Sequence, residues 1–215
     1  MKRLIILLII FLTADFSYAQ TFGKTLKETP GIVSYTYRKS FDKDVPATLD
    51  TIKRLGITNI EFSNLFKRTA KEIRQMLDDR GMRCTSFGVS YDDLVQKTAE
   101  VAENAKTLGA SYVRVAWIPH EGPATIETIK KAAEDFNKAG KFLKENHNLT
   151  FCYHNHGYEF VPYEKGTLFD YLAANTNPDF VSFELDIVWA HLPGYDPAEL
   201  IKKYPSRFKL MHVKD

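Results

Sequence analysis

Cysteine is scarce in this sequence: 215 residues hold two, Cys84 and Cys152. That excludes the disulfide framework that staples small secreted domains. Both cysteines fall in predicted strands that are not neighbours in chain order, so two buried thiols and no bridge are expected. A charge excess is lacking too. The formal net charge is +2 with both signs interspersed, which argues against a nucleic-acid partner, since such a partner needs a basic face. Also missing is a glycine-rich phosphate turn after the first predicted strand, where Tyr35-Thr36-Tyr37-Arg38 stands instead.

Of long apolar runs there is one, Leu4 to Leu12, preceded by Lys2 and Arg3 and followed by Ser17-Tyr18-Ala19. This is the pattern of a secretory signal peptide over residues 1–19, cut before Gln20. The run is too short to span a bilayer and Asp15 interrupts it, so no membrane span is expected after the leader is removed. The reading is an exported protein, periplasmic in a cell with two membranes. Without the leader, which carries Lys2, Arg3 and Asp15, the net charge falls to near +1.

With 44% hydrophobic residues, the remainder (20–215) can bury the core of one domain. It reads as apolar strands alternating with amphipathic helices. Strands are predicted over 32–37, 59–62, 83–89, 112–117, 150–154, 181–187 and 208–213. Helices are predicted over 45–55, 70–80, 91–108, from Pro123 to about Asn146, 167–174 and 197–203, several stopped by glycine. Such βα alternation means a parallel sheet with right-handed crossovers. Seven strands without a reversal signal fit a (βα)8 TIM barrel, which needs about 250 residues. The last βα unit is absent from the sequence, so an incomplete barrel is expected, with the chain truncated at its C-terminus.

In such barrels the site forms at the C-terminal strand ends. There the sequence places Tyr35, Glu61, Phe87, Trp117 with His120, His154 with His156, Asp186 with Trp189, and His212 with Lys214. The stretch Phe151 to Phe160 is the most telling. A short apolar run ends in two histidines, costly to desolvate unless their nitrogens are used. His154, Asp186 and His212 end three consecutive predicted strands, and imidazole with carboxylate suits a divalent metal: manganese, zinc, iron or magnesium. Trp117, Trp189 and Tyr35 could stack on the apolar face of a sugar ring. His156, Glu61 or Lys214 could serve as base for proton abstraction beside a polarised carbonyl. Glu184 shares a strand face with Asp186, one layer deeper, and reads as structural.

Three pieces carry a family likeness: Tyr153-His154-Asn155-His156 with Glu159-Phe160, then Glu184-Leu185-Asp186, then Arg207 to Asp215 with its His212-Val213-Lys214-Asp215 ending. In these the chain resembles the xylose isomerase-like TIM-barrel superfamily, in its sugar phosphate isomerase/epimerase branch. The resemblance implies a divalent metal and proton transfer next to a sugar carbonyl. It puts His154 where many members have a glutamate ligand, Asp186 at the aspartate and His212 at the histidine. The glutamate from an eighth strand is not in the sequence, so the 215-residue chain alone is expected to be inactive. The expectation is an exported, metal-dependent sugar isomerase or epimerase acting on a small carbohydrate. A sugar lyase or dehydratase is a related alternative, a non-catalytic carbohydrate-binding barrel another, and an apurinic-site endonuclease the least favoured.

Overall fold

The computed structural model describes residues 30–214. The predicted leader and the polar stretch after it lie outside these residues. β1 (Ile32–Val33), β2 (Asn59–Phe62), β3 (Arg83–Val89), β4 (Tyr112–Val115), β5 (Thr150–His154), β8 (Val181–Asp186) and β9 (Phe208–His212) pair in that order in one sheet, every pair parallel. A two-residue hairpin, β6 (Pro162–Tyr163) with β7 (Gly166–Thr167), stands apart from it.

The sheet is curled. In a flat sheet β2 and β9, five strands apart, would lie roughly 24 Å from each other at about 4.8 Å per strand. Instead His212 Nε2 of β9 is 3.2 Å from Glu61 Oε1 of β2. A cavity of about 130 Å³ lies between the sheet's two ends, lined by Ile32 and Val33 on one side and Leu210 and Met211 on the other. Seven parallel strands curled with helices outside form a TIM-barrel-like fold with seven of the eight strands.

Strand alternation sorts the two faces. Ile60 and Phe62, Val113 and Val115, Phe151 and Tyr153, and Phe183 and Leu185 are buried in the apolar core. The helices supply the other half of that core: α2 (Val45–Arg54) gives Leu49 and Ile52, and α3 (Ala70–Asp78) gives Ile73 and Leu77. α6 (Ile126–His147) contributes Phe136, whose ring lies 4.9 Å from Phe151 and 5.2 Å from Tyr153. The alternate strand positions, Glu61, Arg114, Cys152, His154, Glu184 and Asp186, are polar apart from the cysteine. Cys84 and Cys152 are buried and unbridged, and burial pushes the Cys84 thiol up to about 12, which keeps it protonated.

Several predicted boundaries shift, each for a local reason. The first strand stops at Val33 because Ser34–Tyr37 turn into a 3-10 helix, followed by the short α1 (Arg38–Phe41). The helix predicted over 91–108 is two, α4 (Tyr91–Gln96) and α5 (Thr98–Leu108), broken at Lys97. The fourth helix starts at Ile126 rather than Pro123, because the Thr125 side chain accepts from the Thr128 amide as its N-cap. α7 (Leu168–Ala174) is capped likewise by Thr167, while α8 (Ile187–His191) directly follows β8 and α9 (Pro197–Lys203) precedes β9. No helix among the described residues is long and apolar enough to cross a membrane.

α6 packs so closely on the segment before β8 that a Cβ on Gly140 would stand 2.3 Å from the Phe180 carbonyl oxygen. Backbone cannot yield as a side chain can. Gly140→Ala should therefore cost about 1–3 kcal/mol despite alanine's better helix propensity, read as a lower urea midpoint with unchanged slope; an unchanged or higher midpoint would contradict this packing.

Candidate active site

The interior of the curled sheet is charged. Arg114 on β4 is buried, with Nη2 2.7 Å and Nε 3.1 Å from Glu61 Oε1 and Nε 3.4 Å from Glu184 Oε2. Gly88 on β3 makes this possible: a Cβ there would stand 2.7 Å from Arg114 Nη2. The two carboxyls cannot both carry a full charge against one guanidinium at low cost. Burial works to raise Glu61, but the charge of Arg114 and the bond to His212 outweigh it and hold Glu61 below the usual carboxylate range. Glu184 is driven the other way, by burial and then by the charge of Glu61. With no cation bound, the balance favours the charge on Glu61 and the proton on Glu184.

Above this layer the strand ends converge. His154 Nε2 is 3.0 Å from Asp186 Oδ2, Lys214 Nζ is 2.7 Å from the same oxygen, and His212 Nδ1 is 3.9 Å from it. Asp186 is buried, and its other oxygen, Oδ1, accepts from the Trp189 amide at 3.0 Å as the N-cap of α8. One oxygen thus fixes the carboxylate and starts the helix bearing Trp189, while the second faces the histidines. Burial works to raise Asp186, but the bonds from His154 and Lys214 hold it well below the usual range. Burial lowers His154 to about 4 against the pull of Asp186, so its imidazole is neutral. Its Nδ1 is buried without a hydrogen-bond partner.

The structure brings His154, Asp186 and His212 together, and it adds a residue that the sequence reading set aside. Counted along its own strand, Glu184 stands one layer below Asp186. In the sheet register His154 is level with Glu184, and Asp186 with His212, the latter after a bulge in the β8–β9 pairing between Phe183 and Glu184 that advances β9 by one residue. Glu184 Oε1 therefore reaches to 3.3 Å from His212 Nε2. Ligating atoms of His154, Glu184 and His212 all lie within 4.8 Å of one another. Two imidazoles with two carboxyls beside them, one imidazole nitrogen unpartnered, is a donor set that fits a divalent cation. Asn155 holds the geometry: its side chain accepts from the Asp186 amide at 2.9 Å and donates to the Asp186 carbonyl at 3.2 Å.

Of the three candidate bases, Glu61 is engaged with Arg114 and His212, and Lys214 with Asp186. His156 lies just beyond the end of β5, so strand alternation does not govern it. Its ring is 4.9 Å from that of His154, 5.3 Å from Trp189 and 5.7 Å from Trp117. Tyr158 and His120 complete an aromatic wall against Trp117, at 4.8 and 4.6 Å. Trp117 remains 48% exposed, open to a ligand. Tyr35 makes no ring contact with either tryptophan; it is 58% exposed, with the Arg38 guanidinium 4.3 Å over its ring.

Comparison with known proteins agrees with this architecture. A family profile described as the xylose isomerase-like TIM barrel matches residues 49–215. Inosose dehydratase of Geobacillus kaustophilus is 26% identical over 189 residues, 78% of this chain and 60% of that protein. The Clostridium tetani inosose dehydratase is 27% identical over 74% of the chain and 59% of its own length. The chain thus spans about 60% of the length of these curated relatives. A sugar phosphate isomerase/epimerase structure from Parabacteroides distasonis is 28% identical with a TM-score of 0.71, covering 88% of this chain and 77% of that one. The IolI protein, solved with a zinc atom, shares the fold at 14% identity and a TM-score of 0.62, over 78% of this chain and 66% of its own.

Burial, and then electrostatic competition with the adjoining His154 for a proton, lower His156 from an ordinary 6.5 to about 3. Between those values the unfolded chain binds a proton that the folded chain refuses, so stability falls as pH drops from 6.5 towards 3. His156→Asn should flatten this part of the curve of urea midpoint against pH in metal-free protein; a curve of unchanged steepness would show that His156 does not stay neutral.

Proposed function

The chain belongs to the xylose isomerase-like TIM-barrel family, and from that membership we propose that it is a metal-dependent enzyme removing a proton beside the carbonyl of a sugar or cyclic polyol. The observation that carries this reading is the convergence of His154, Asp186 and His212, with Glu184, at the ends of three adjacent parallel strands. His154 and His212 would hold the cation with Asp186 and Glu184. A divalent ion bound there supplies a Lewis acid that polarises a substrate oxygen.

The chain's own groups divide the remaining work. Asp186, ionised and pinned through Oδ1, keeps its second oxygen aimed at the site. Arg114 and Glu61 hold His212 from beneath. His156 stands between the site and the aromatic wall with its Nδ1 free of any hydrogen-bond partner, so of the three candidate bases it is the one we assign, on position alone, to face the proton. Trp117 and Trp189 would stack on the ring's apolar face. Proton removal beside a carbonyl is the step that isomerases, epimerases and β-eliminating dehydratases share, which accommodates both the isomerase/epimerase and the dehydratase relatives. Arg114, inside the barrel, is engaged by Glu61 and Glu184, and the leader read in residues 1–19 proposes export; both favour an unphosphorylated substrate.

The test is metal content together with solvent-deuterium incorporation into an inosose and a panel of ketoses, in the full-length protein and in His212→Ala. The wild type should hold about one divalent ion per chain and exchange one carbon-bound hydrogen. His212→Ala should lose most of the metal and at least about a hundredfold of the exchange, the scale on which general acid–base and metal assistance act. Unchanged metal and exchange in the variant would end this reading. Tight metal binding with no exchange on any sugar would point to a carbohydrate-binding barrel instead.

A further inference from the structure

One buried carboxyl is used neither by the charged interior nor by the strand-end cluster. Glu159 has no exposed surface and lies in a 3-10 turn, Tyr158–Phe160, just past the site loop. The turn is anchored by Phe160, stacked on Phe169 at 5.3 Å and on Tyr195 at 5.0 Å. No cation pairs with Glu159 among the described residues. Both its oxygens accept from the His156 amide, each at 3.0 Å, and Oε1 also accepts from the Tyr153 hydroxyl. The Tyr153 hydroxyl is 2.7 Å from that of Tyr158, which accepts from the Ile118 amide at 3.0 Å.

Counting protons gives this chain of bonds a direction. The Ile118 and His156 amides can only donate. With Glu159 ionised, the Ile118 amide donates to Tyr158, Tyr158 to Tyr153, Tyr153 to Glu159, and the His156 amide to Glu159. Every donor then has an acceptor. A proton or an amide group on Glu159 adds a donor for which the buried chain has no acceptor, and a buried unmet donor is costly. Burial pushes the Glu159 carboxyl up to about 7, so bonds rather than a counter-charge are what oppose protonation.

The two ends of this chain lie in two different loops. Ile118 follows Trp117 in the loop after β4, and His156 is the histidine of the loop after β5. We propose that Glu159 is a positioning residue that, through Tyr153 and Tyr158, locks these two loops into one unit and so fixes the spacing of Trp117 and His156 on the substrate wall. This rests on the functional reading for the word substrate; the locking itself does not.

Backbone amide hydrogen exchange on the full-length protein tests it without any ligand. Glu159→Gln and Tyr153→Phe should each speed exchange at both the Ile118 and His156 amides, by roughly tenfold or more, the scale of one lost hydrogen bond, while amides in α6 and β3 keep their rates. Trp117 emission should shift in both variants. Exchange rising at His156 alone, or evenly along the chain, would overturn the proposal, since Glu159 would then be a local cap or plain core. If both variants fail to fold, Tyr158→Phe, at a less buried position, decides: Ile118 exchange and Trp117 emission must change, and no change overturns the proposal. On inosose, Glu159→Gln should raise KM more than it lowers kcat. A protein that turns over no sugar would defeat the functional reading and leave the exchange result standing.

Discussion

Arg114 lies inside a curled parallel sheet with two carboxyls against its guanidinium, and this buried ion cluster sets the terms for the site above it. Removing a charge from water is expensive, and mutual attraction offsets the cost only when geometry and remaining hydrogen bonds are good. Here one cation faces two acids, so Glu61 is favoured to ionise over Glu184, and His212 bridges the two at 3.2 and 3.3 Å. The position of His212, and hence the shape of the strand-end cluster, follows from that balance. Gly88 belongs to the same arrangement, since a side chain there would push Arg114 out of it.

The rim is built on a different principle. Its elements are held by hydrogen bonds that double as fold signals. Asp186 caps α8 and faces the histidines with the same carboxylate, and Asn155 clamps the end of β8 to the loop after β5. Glu159 joins that loop to the one carrying Trp117. Groups that would be unremarkable as caps or core tyrosines acquire a role because each ties a residue of the wall to something rigid.

Much of this is legible in the sequence, and what is not has physical causes. The βα alternation, the buried thiols and the convergence of His154, Asp186 and His212 follow from period-two patterning and from where parallel strands end. A layer count along one strand puts Glu184 below Asp186 but does not show that His154 of the neighbouring β5 is level with it. Nothing local singles out Arg114, because its acidic partners come from strands far away in sequence. Glu159 carried one signal, its place beside Tyr153-His154-Asn155-His156, but nothing local said that its partners would be two tyrosines and a backbone amide. The break at Lys97 and the early end of the first strand are cases where local backbone geometry overrode a continuous apolar pattern.

By itself the sequence determined which side chains share a face of each strand, and so which residues could meet at all. That is a local property, imposed by the alternation of an extended backbone. Which of them do meet, and in which protonation state, was decided only by the curl and stagger of the sheet. Those bring β2 within hydrogen-bonding reach of β9 across the interior and put Arg114 between two acids. Curvature and register are set by contacts between distant segments, and burial decides charge only once the neighbours are in place.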